Sequence, residues 1–327
     1  MTGSAQVPAQ PGPEEFVGLR RRRWTGDLAF RAMLAAITLG ITAVLGLMMI
    51  ESFISAAPAY QKFGIIGFVT GSTWAPSFAV YGAWAFIYGT LLTSLLALLI
   101  AVPVSVLIAL LLTELAPARL RGPLGIAVDL LAAVPSVVYG LWGLLVLVPA
   151  LRPVEQGIAA TLGKVIPFFG PPTPGSSYFA AGVILAVMII PIVSAVSREV
   201  FASTPRLQRE AVLALGGTRW DVVRTVTLPI GRAGLLAAIV LGLGRAIGET
   251  IAVTLVIGNS DTIGKSIFSP GFTLASVIAN EFNEATETLH PEALIALGTV
   301  LLVISVIVNA IAIAIRNRFT KGARSGF

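Results

Sequence analysis

The sequence predicts an all-helical integral membrane protein with six transmembrane helices, and three observations carry that expectation. Hydrophobic residues make up 56% of the chain and charged residues only 12%, at a mean hydropathy of +0.90. Soluble globular domains carry about a quarter charged residues. Several stretches of about 18 or more residues are nearly free of charge, and about 20 such residues cross a 30 Å hydrocarbon layer as a helix. These stretches do not alternate apolar with polar as barrel strands do, so helices are the spanning element.

In chain order, residues 1–30 read as a disordered basic tail, rich in Pro, Gly and Gln and containing the run Arg20 to Arg23. Residues 31–84 hold a first span near 32–50 and a loop whose Trp74, Tyr81 and Trp84 suit a membrane interface. The apolar stretch is longer than a signal peptide's and lies farther from the N-terminus, which favours an uncleaved span. A core over 85–316 holds spans near 85–113, 124–148, 177–196, 231–257 and 293–315. Residues 149–176, with six prolines, read as a loop with a short helix near 156–164. A second polar loop covers 258–291, and 317–327 form a basic tail.

The net charge of +6 could suggest nucleic acid, but the arginines fall at the ends of apolar segments and report topology instead. Of 22 Lys and Arg, 17 lie in the tails, the 114–123 and 197–230 loops and the adjoining span ends. The opposite loops hold Lys62, Arg152, Lys164 and Lys265. Basic loops stay inside, which places both termini in the cytoplasm. The chain has no cysteine, so disulfides, thiolate nucleophiles and cysteine metal sites are excluded.

The most informative polar stretch is 210–229, EAVLALGGTRWDVVRTVTLP. Leu207 to Leu215 suits a helix, Gly216-Gly217 breaks it, Thr218 can cap a second helix through Arg224, and Pro229 admits the next span. The expectation is a helix, turn, helix hairpin of about 205–230. Glu210, Ala211, Gly216, Val226, Leu228 and Pro229 stand at the spacing of the coupling-loop motif of ABC importer permeases, with Val212 and Val226 as mild departures. The stretch LGLGRAIGETIAVTLVIGN at 241–259 resembles the permeases of the phosphate-specific importer. So do 86–117 and 130–149, and the run Tyr139 to Gly143 is more similar to the C-type permease than to the A-type. The resemblance covers about residues 60–316.

The resemblance implies a type I ABC importer permease fold in a bacterial cytoplasmic membrane. It implies an ATPase-coupling surface at Glu210, Ala211, Gly216, Leu228 and Pro229. It also implies three partners: an A-type permease completing the pore, a cytoplasmic ATPase dimer, and an extracytoplasmic phosphate-binding protein. No cofactor would be bound by this chain, and ATP would be used by the ATPase. The stretch 258–266, GNSDTIGKS, has five residues between its glycine and Gly-Lys where a phosphate-binding loop has four, so it is no nucleotide site.

Arg245 and Glu249 are the ionisable residues well inside a predicted span. Such groups are costly in hydrocarbon and face protein or water. At i and i+4 they share a helical face. One reading is a self-neutralised structural pair. The other, which the resemblance favours, is a substrate pathway in which Arg245 offers its fork of donors to an oxyanion while Glu249 holds that fork.

Weaker candidates carry bland readings. Gly242, Gly244 and Gly248 suit helix packing. Asp129 reads as an interfacial residue, and Glu281, Glu284 and Glu287 as a solvated acidic face. The sole histidine, His290, has no metal or catalytic partners in sequence. The rival functions are an ABC permease for another oxyanion, an ion-coupled secondary transporter, which would need no coupling hairpin, and an intramembrane enzyme, which would need a nucleophile that Arg245 and Glu249 lack.

Overall fold

The computed structural model describes residues 24–173, 175–286 and 289–324. The expected run Arg20 to Arg23, Glu287 and the end of the C-terminal tail lie outside the described residues. Every long element among those described is helical, with strand geometry confined to isolated bridges at Ala75–Val80 and Gly258–Gly271.

The chain divides after Ile54 into two units. The first contains most of helix α1 (Trp24–Phe63), whose Leu39, Ile41, Val44 and Leu47 all point outward. Gly26–Phe63 is long and apolar enough to cross a membrane, and the helix runs well past the expected end near Ile50.

The second unit begins with the last turns of α1. Ala56 and Ala59 there join a core with Phe68 of α2 (Ile65–Thr70), Trp74, Phe86, Leu274, Leu294 and Leu297. Helix α3 (Trp84–Leu110) continues through a π turn to Leu115, close to the expected second span. Next come α4 (Ala118–Ala132), α5 (Ser136–Trp142), a π turn at Gly143–Leu147, and α6 (Val148–Thr161).

Here the structure corrects the sequence reading. The third span is Ser136–Thr161, not 124–148, and the expected loop after it is largely helix. The cause is Pro135. It pushes Val134 out of helical geometry and ends α4, so the span begins only afterwards. Pro149 and Pro153, which suggested a loop, sit in the span's second half, Pro149 in the first turn after the π turn at Gly143–Leu147.

Helix α7 (Tyr178–Ala202) is the central element and packs along α3, with Ala97 and Ala101 facing Ala181, Ile184 and Leu185. Alanines permit the close backbone approach that drives helix association in lipid. After α8 (Arg206–Ala214) comes one helix, Arg219–Ile247, made of α9 (Arg219–Val222), a π turn at Val223–Thr227 and α10 (Leu228–Ile247). The second hairpin arm therefore does not stop at Arg224 but runs into the fifth span. Its 29 residues extend about 43 Å at 1.5 Å per residue, more than a 30 Å hydrocarbon layer needs. The expected span 231–257 is broken after Ile247, and only α11 (Ile251–Val256) follows. The polar loop then contains α12 (Leu274–Glu281), and α13 (Leu289–Arg324) forms the last span.

Two of the three π turns share one sequence cause. They end at Leu147 and Thr227, each two residues before a proline through which the helix continues, Pro149 and Pro229; the third closes the helix at Leu115, where Ala116 and Pro117 are extended. A proline ring collides with the carbonyl four residues earlier in a regular helix, and widening the preceding turn by one residue relieves that collision.

Candidate functional site

The hairpin forms as its residues dictate. Gly216 adopts φ +86°, the left-handed conformation that glycine reaches without a Cβ clash, and so ends α8 sharply. Thr218 then starts α9 with a capping box: its hydroxyl accepts from Asp221 N at 3.2 Å, while Asp221 Oδ2 accepts from Thr218 N at 2.8 Å. The turn is thus rigid on both sides. Glu210, Ala211 and Gly216 are exposed. Leu207, Leu215 and Trp220 are also exposed, at 80%, 89% and 62%, on an otherwise polar hairpin. Leu228 and Pro229 lie beyond the π turn at the start of α10, where Pro229 occupies the first turn.

Sequence reasoning missed how the hairpin is held. Glu114, at the end of the second span, accepts through Oε1 from Thr227 Oγ1 at 2.9 Å and pairs with Arg209 Nη2 at 3.3 Å. Its carbonyl accepts from Arg219 Nη1 at 3.1 Å. The signal in the sequence was a lone carboxylate in the basic loop that carries Arg119 and Arg121.

Arg245 and Glu249 are brought together, with Nη2 to Oε2 at 3.2 Å. Arg245 lies in the last turn of α10, and Gly248 to Thr250 separate it from α11. Glu249 is buried and its Oε1 accepts weakly from Ala252 N at 3.4 Å. The break supplies the electrostatics: the carbonyl end of α10 favours the guanidinium, and the amide end of α11 favours the carboxylate. The helix stops there because Gly248 is a poor helix former and the Thr250 hydroxyl turns back to Gly248 O at 3.3 Å.

Arg245 stays half exposed, at 48%, and faces a groove of about 550 Å³ between α10 and α13. Gly244, Asn309 and Arg316 share its lining, with apolar walls from Val240, Leu241 and Ile313. Asn309 is a polar residue inside the last span for which the sequence offered no role, and Arg316 is the last residue of the expected core, next to the basic tail. Of the glycines, Gly242 packs against α7, where an added Cβ would meet Val193 Cγ2 at 2.6 Å, whereas Gly244 faces open space.

Two other expectations change. Arg198 Nη2 of α7 donates to both oxygens of Asp129, Oδ2 at 3.0 Å and Oδ1 at 3.2 Å, and so ties α4 to α7. Glu281 is not simply solvated: its Oε2 accepts from Trp74 Nε1 at 2.9 Å and lies 2.9 Å from His290 Nε2. His290, buried and stacked on Tyr81, thus has a carboxylate partner that its sequence neighbourhood did not show. Nearby, burial and the Glu281 charge push the Asp261 carboxyl above its usual range.

Six apolar helices long enough to cross a membrane, with a rigid polar hairpin leading into a span that ends at a charged break, are the features of a membrane permease subunit. The fold is similar to a chain of the crystal structure of a bacterial ABC transporter involved in the import of the acidic polysaccharide alginate. The TM-score is 0.61 at 17% identity, over 91% of this chain and 99% of that one. Residues 101–321 match the family model described as "Binding-protein-dependent transport system inner membrane component". The chain belongs to this family, and it is a multi-pass inner membrane protein. It is 42% identical over 297 residues to the phosphate transport system permease protein PstC of Mesorhizobium japonicum, covering 89% of this chain and 90% of that protein. It is 43% identical over 306 residues to PstC 2 of Mycobacterium tuberculosis, covering 91% and 94%.

Proposed function

We propose that this chain is the C-type permease subunit of an ATP-driven importer of inorganic phosphate. Its partners are an A-type permease, a cytoplasmic ATPase dimer and an extracytoplasmic phosphate-binding protein, and both termini and the 206–227 hairpin face the cytoplasm. The observation that carries this reading is the Arg245–Glu249 pair at the helix break, half open to a groove, in a chain 42% identical to a phosphate permease over 89% of its length.

A buried self-neutralised pair would need no groove. A half-exposed guanidinium instead offers planar, bidentate donors to an oxyanion. Glu249, whose charge is already partly compensated by Ala252 N and the amide end of α11, orients the guanidinium and accepts from the protonated oxygen of hydrogen phosphate. At the other end of the same helix, Glu210, Ala211 and Gly216 with exposed Leu207, Leu215 and Trp220 present the surface for the ATPase. ATP-driven movement of the hairpin then reaches Arg245 through one continuous helix, about 39 Å at 1.5 Å per residue.

The test is reconstitution of the chain with its three partners in liposomes and measurement of phosphate uptake against ATP hydrolysis. Uptake that requires ATP and the loaded binding protein supports the reading. An assembly without ATPase, or uptake that an uncoupler abolishes, overturns it.

A further inference from the structure

We propose that Glu114 is a positioning residue that locks the hairpin to the end of the Trp84–Leu115 span, so that hairpin and span move as one body. The inference rests on reading the hairpin as the coupling surface. Glu114 lies in the π turn closing the span, with its side chain only 10% exposed. One oxygen, Oε1, receives groups from both arms of the hairpin: Arg209 Nη2 from α8 at 3.3 Å and Thr227 Oγ1 from the second arm at 2.9 Å. The Glu114 carbonyl receives a third, Arg219 Nη1, at 3.1 Å.

Arg209 closes the lock on its other side, where the same Nη2 donates to the carbonyl of Phe201 at the end of α7. A small core of Ala109, Leu110, Phe201 and Val223 fills the space between these elements, and Thr227 is fully buried. Hairpin displacement relative to α3 would therefore strip a largely buried carboxylate of its counter-charge and leave the buried Thr227 without its acceptor. Neither loss is repaid by water at such a site. A bridge that merely stabilised one helix would engage one partner. Here donors from both arms converge on one residue of another span. A push on the hairpin is consequently shared by three spans: α3 through Glu114, α7 through Arg209 and Phe201, and α10 through direct continuity. Chain connection alone would reach α7 through residues 203–205 and α10 directly, and α3 only through Glu114.

This chain has no cysteine, so labels introduced into it meet no background from its own residues. Spin labels at Leu111 and Gln208, both exposed, report the distance between the span end and the hairpin in the complete transporter in liposomes. In the otherwise unaltered protein that distance is expected to be the same without nucleotide and with ATP trapped. Glu114→Ala is expected to broaden it and to lower phosphate transported per ATP by about tenfold, while the ATPase remains bound. Glu114→Asp, which keeps the charge, restores part of the ratio. A label distance that changes between the two nucleotide states with Glu114 intact overturns the lock, and so does Glu114→Ala with unchanged transport per ATP. If the hairpin captures no ATPase at all, the coupling reading falls, and the label distance with and without Glu114 still decides whether the lock exists.

Discussion

Arg245 and Glu249 approach to 3.2 Å across a break between two helices, not along one helical face. The i and i+4 spacing suggested the pair, but a continuous helix would have given Glu249 no free amide and no helix end. The break gives it both, Ala252 N and the start of α11, and holds Arg245 in the last turn of α10. A charge pair that would be expensive in hydrocarbon is thereby compensated by backbone while its cation stays available to the groove.

Arg245→Gln removes the charge but keeps the length and some donors. The variant is expected to insert and assemble normally and to lower phosphate uptake by about a hundredfold, as loss of one partner in a buried charge interaction does. Radiolabelled phosphate uptake, normalised to the amount of assembled transporter, measures this. Uptake at the unaltered level would take Arg245 out of the pathway.

Glu249→Gln separates orientation from discrimination. A carboxylate accepts the proton of hydrogen phosphate, whereas sulfate has none to give at neutral pH, and a site lacking that acceptor discriminates less. Competition of sulfate against phosphate uptake should therefore become stronger in Glu249→Gln than in the unaltered transporter. Equal competition in both would show that Glu249 only holds Arg245.

Gly216 and Leu215 test the hairpin surface. A Cβ at φ +86° strains the turn by about 1–2 kcal/mol, so Gly216→Val should weaken ATPase retention during purification of the complex. Leu215→Asp leaves the backbone untouched and places a charge on the most exposed apolar side chain of the hairpin. Loss of ATPase from Leu215→Asp, with the permease still folded, marks the contact; full retention in both variants would move the docking surface elsewhere.

Asp261 gives a pH dependence with a definite sign. Burial, and then the Glu281 charge, raise its carboxyl above the reference value of 3.8, so the folded loop holds its proton more tightly than the unfolded chain. Above pH 3.8 the unfolded state releases that proton first, and stability falls as pH rises toward the raised value. Asp261→Asn removes the penalty. It should raise the thermal midpoint at pH 7 and leave it nearly unchanged near pH 3, as thermal unfolding in detergent at the two pH values would record.

Much of the architecture was legible in the chain. The six spans follow from the near absence of charge over stretches of membrane length, and the hairpin follows from Gly216, Thr218 and Asp221, whose preferences act over a few residues. The prolines carry a weaker local signal. Pro149 looked like a loop residue and is in a span, while Pro229 looked like a boundary and sits inside one long helix behind a π turn. In both cases neighbouring spans hold the helix together, and a local rule does not register that support.

The sequence by itself determined that the protein lives in a membrane, that Arg245 and Glu249 stand four residues apart at its fifth apolar segment, and that a rigid polar hairpin precedes that segment. Hydropathy, capping and backbone preference are local properties, complete within a window of about 20 residues. Only the tertiary structure decided that Asn309 and Arg316 line the same groove as Arg245 and that Glu114 holds the hairpin. Arg219 and Thr227 reach Glu114 from 105 and 113 residues away. No local pattern records such a meeting, because it exists only once α3, α7 and α10 have packed and their buried polar groups must find one another.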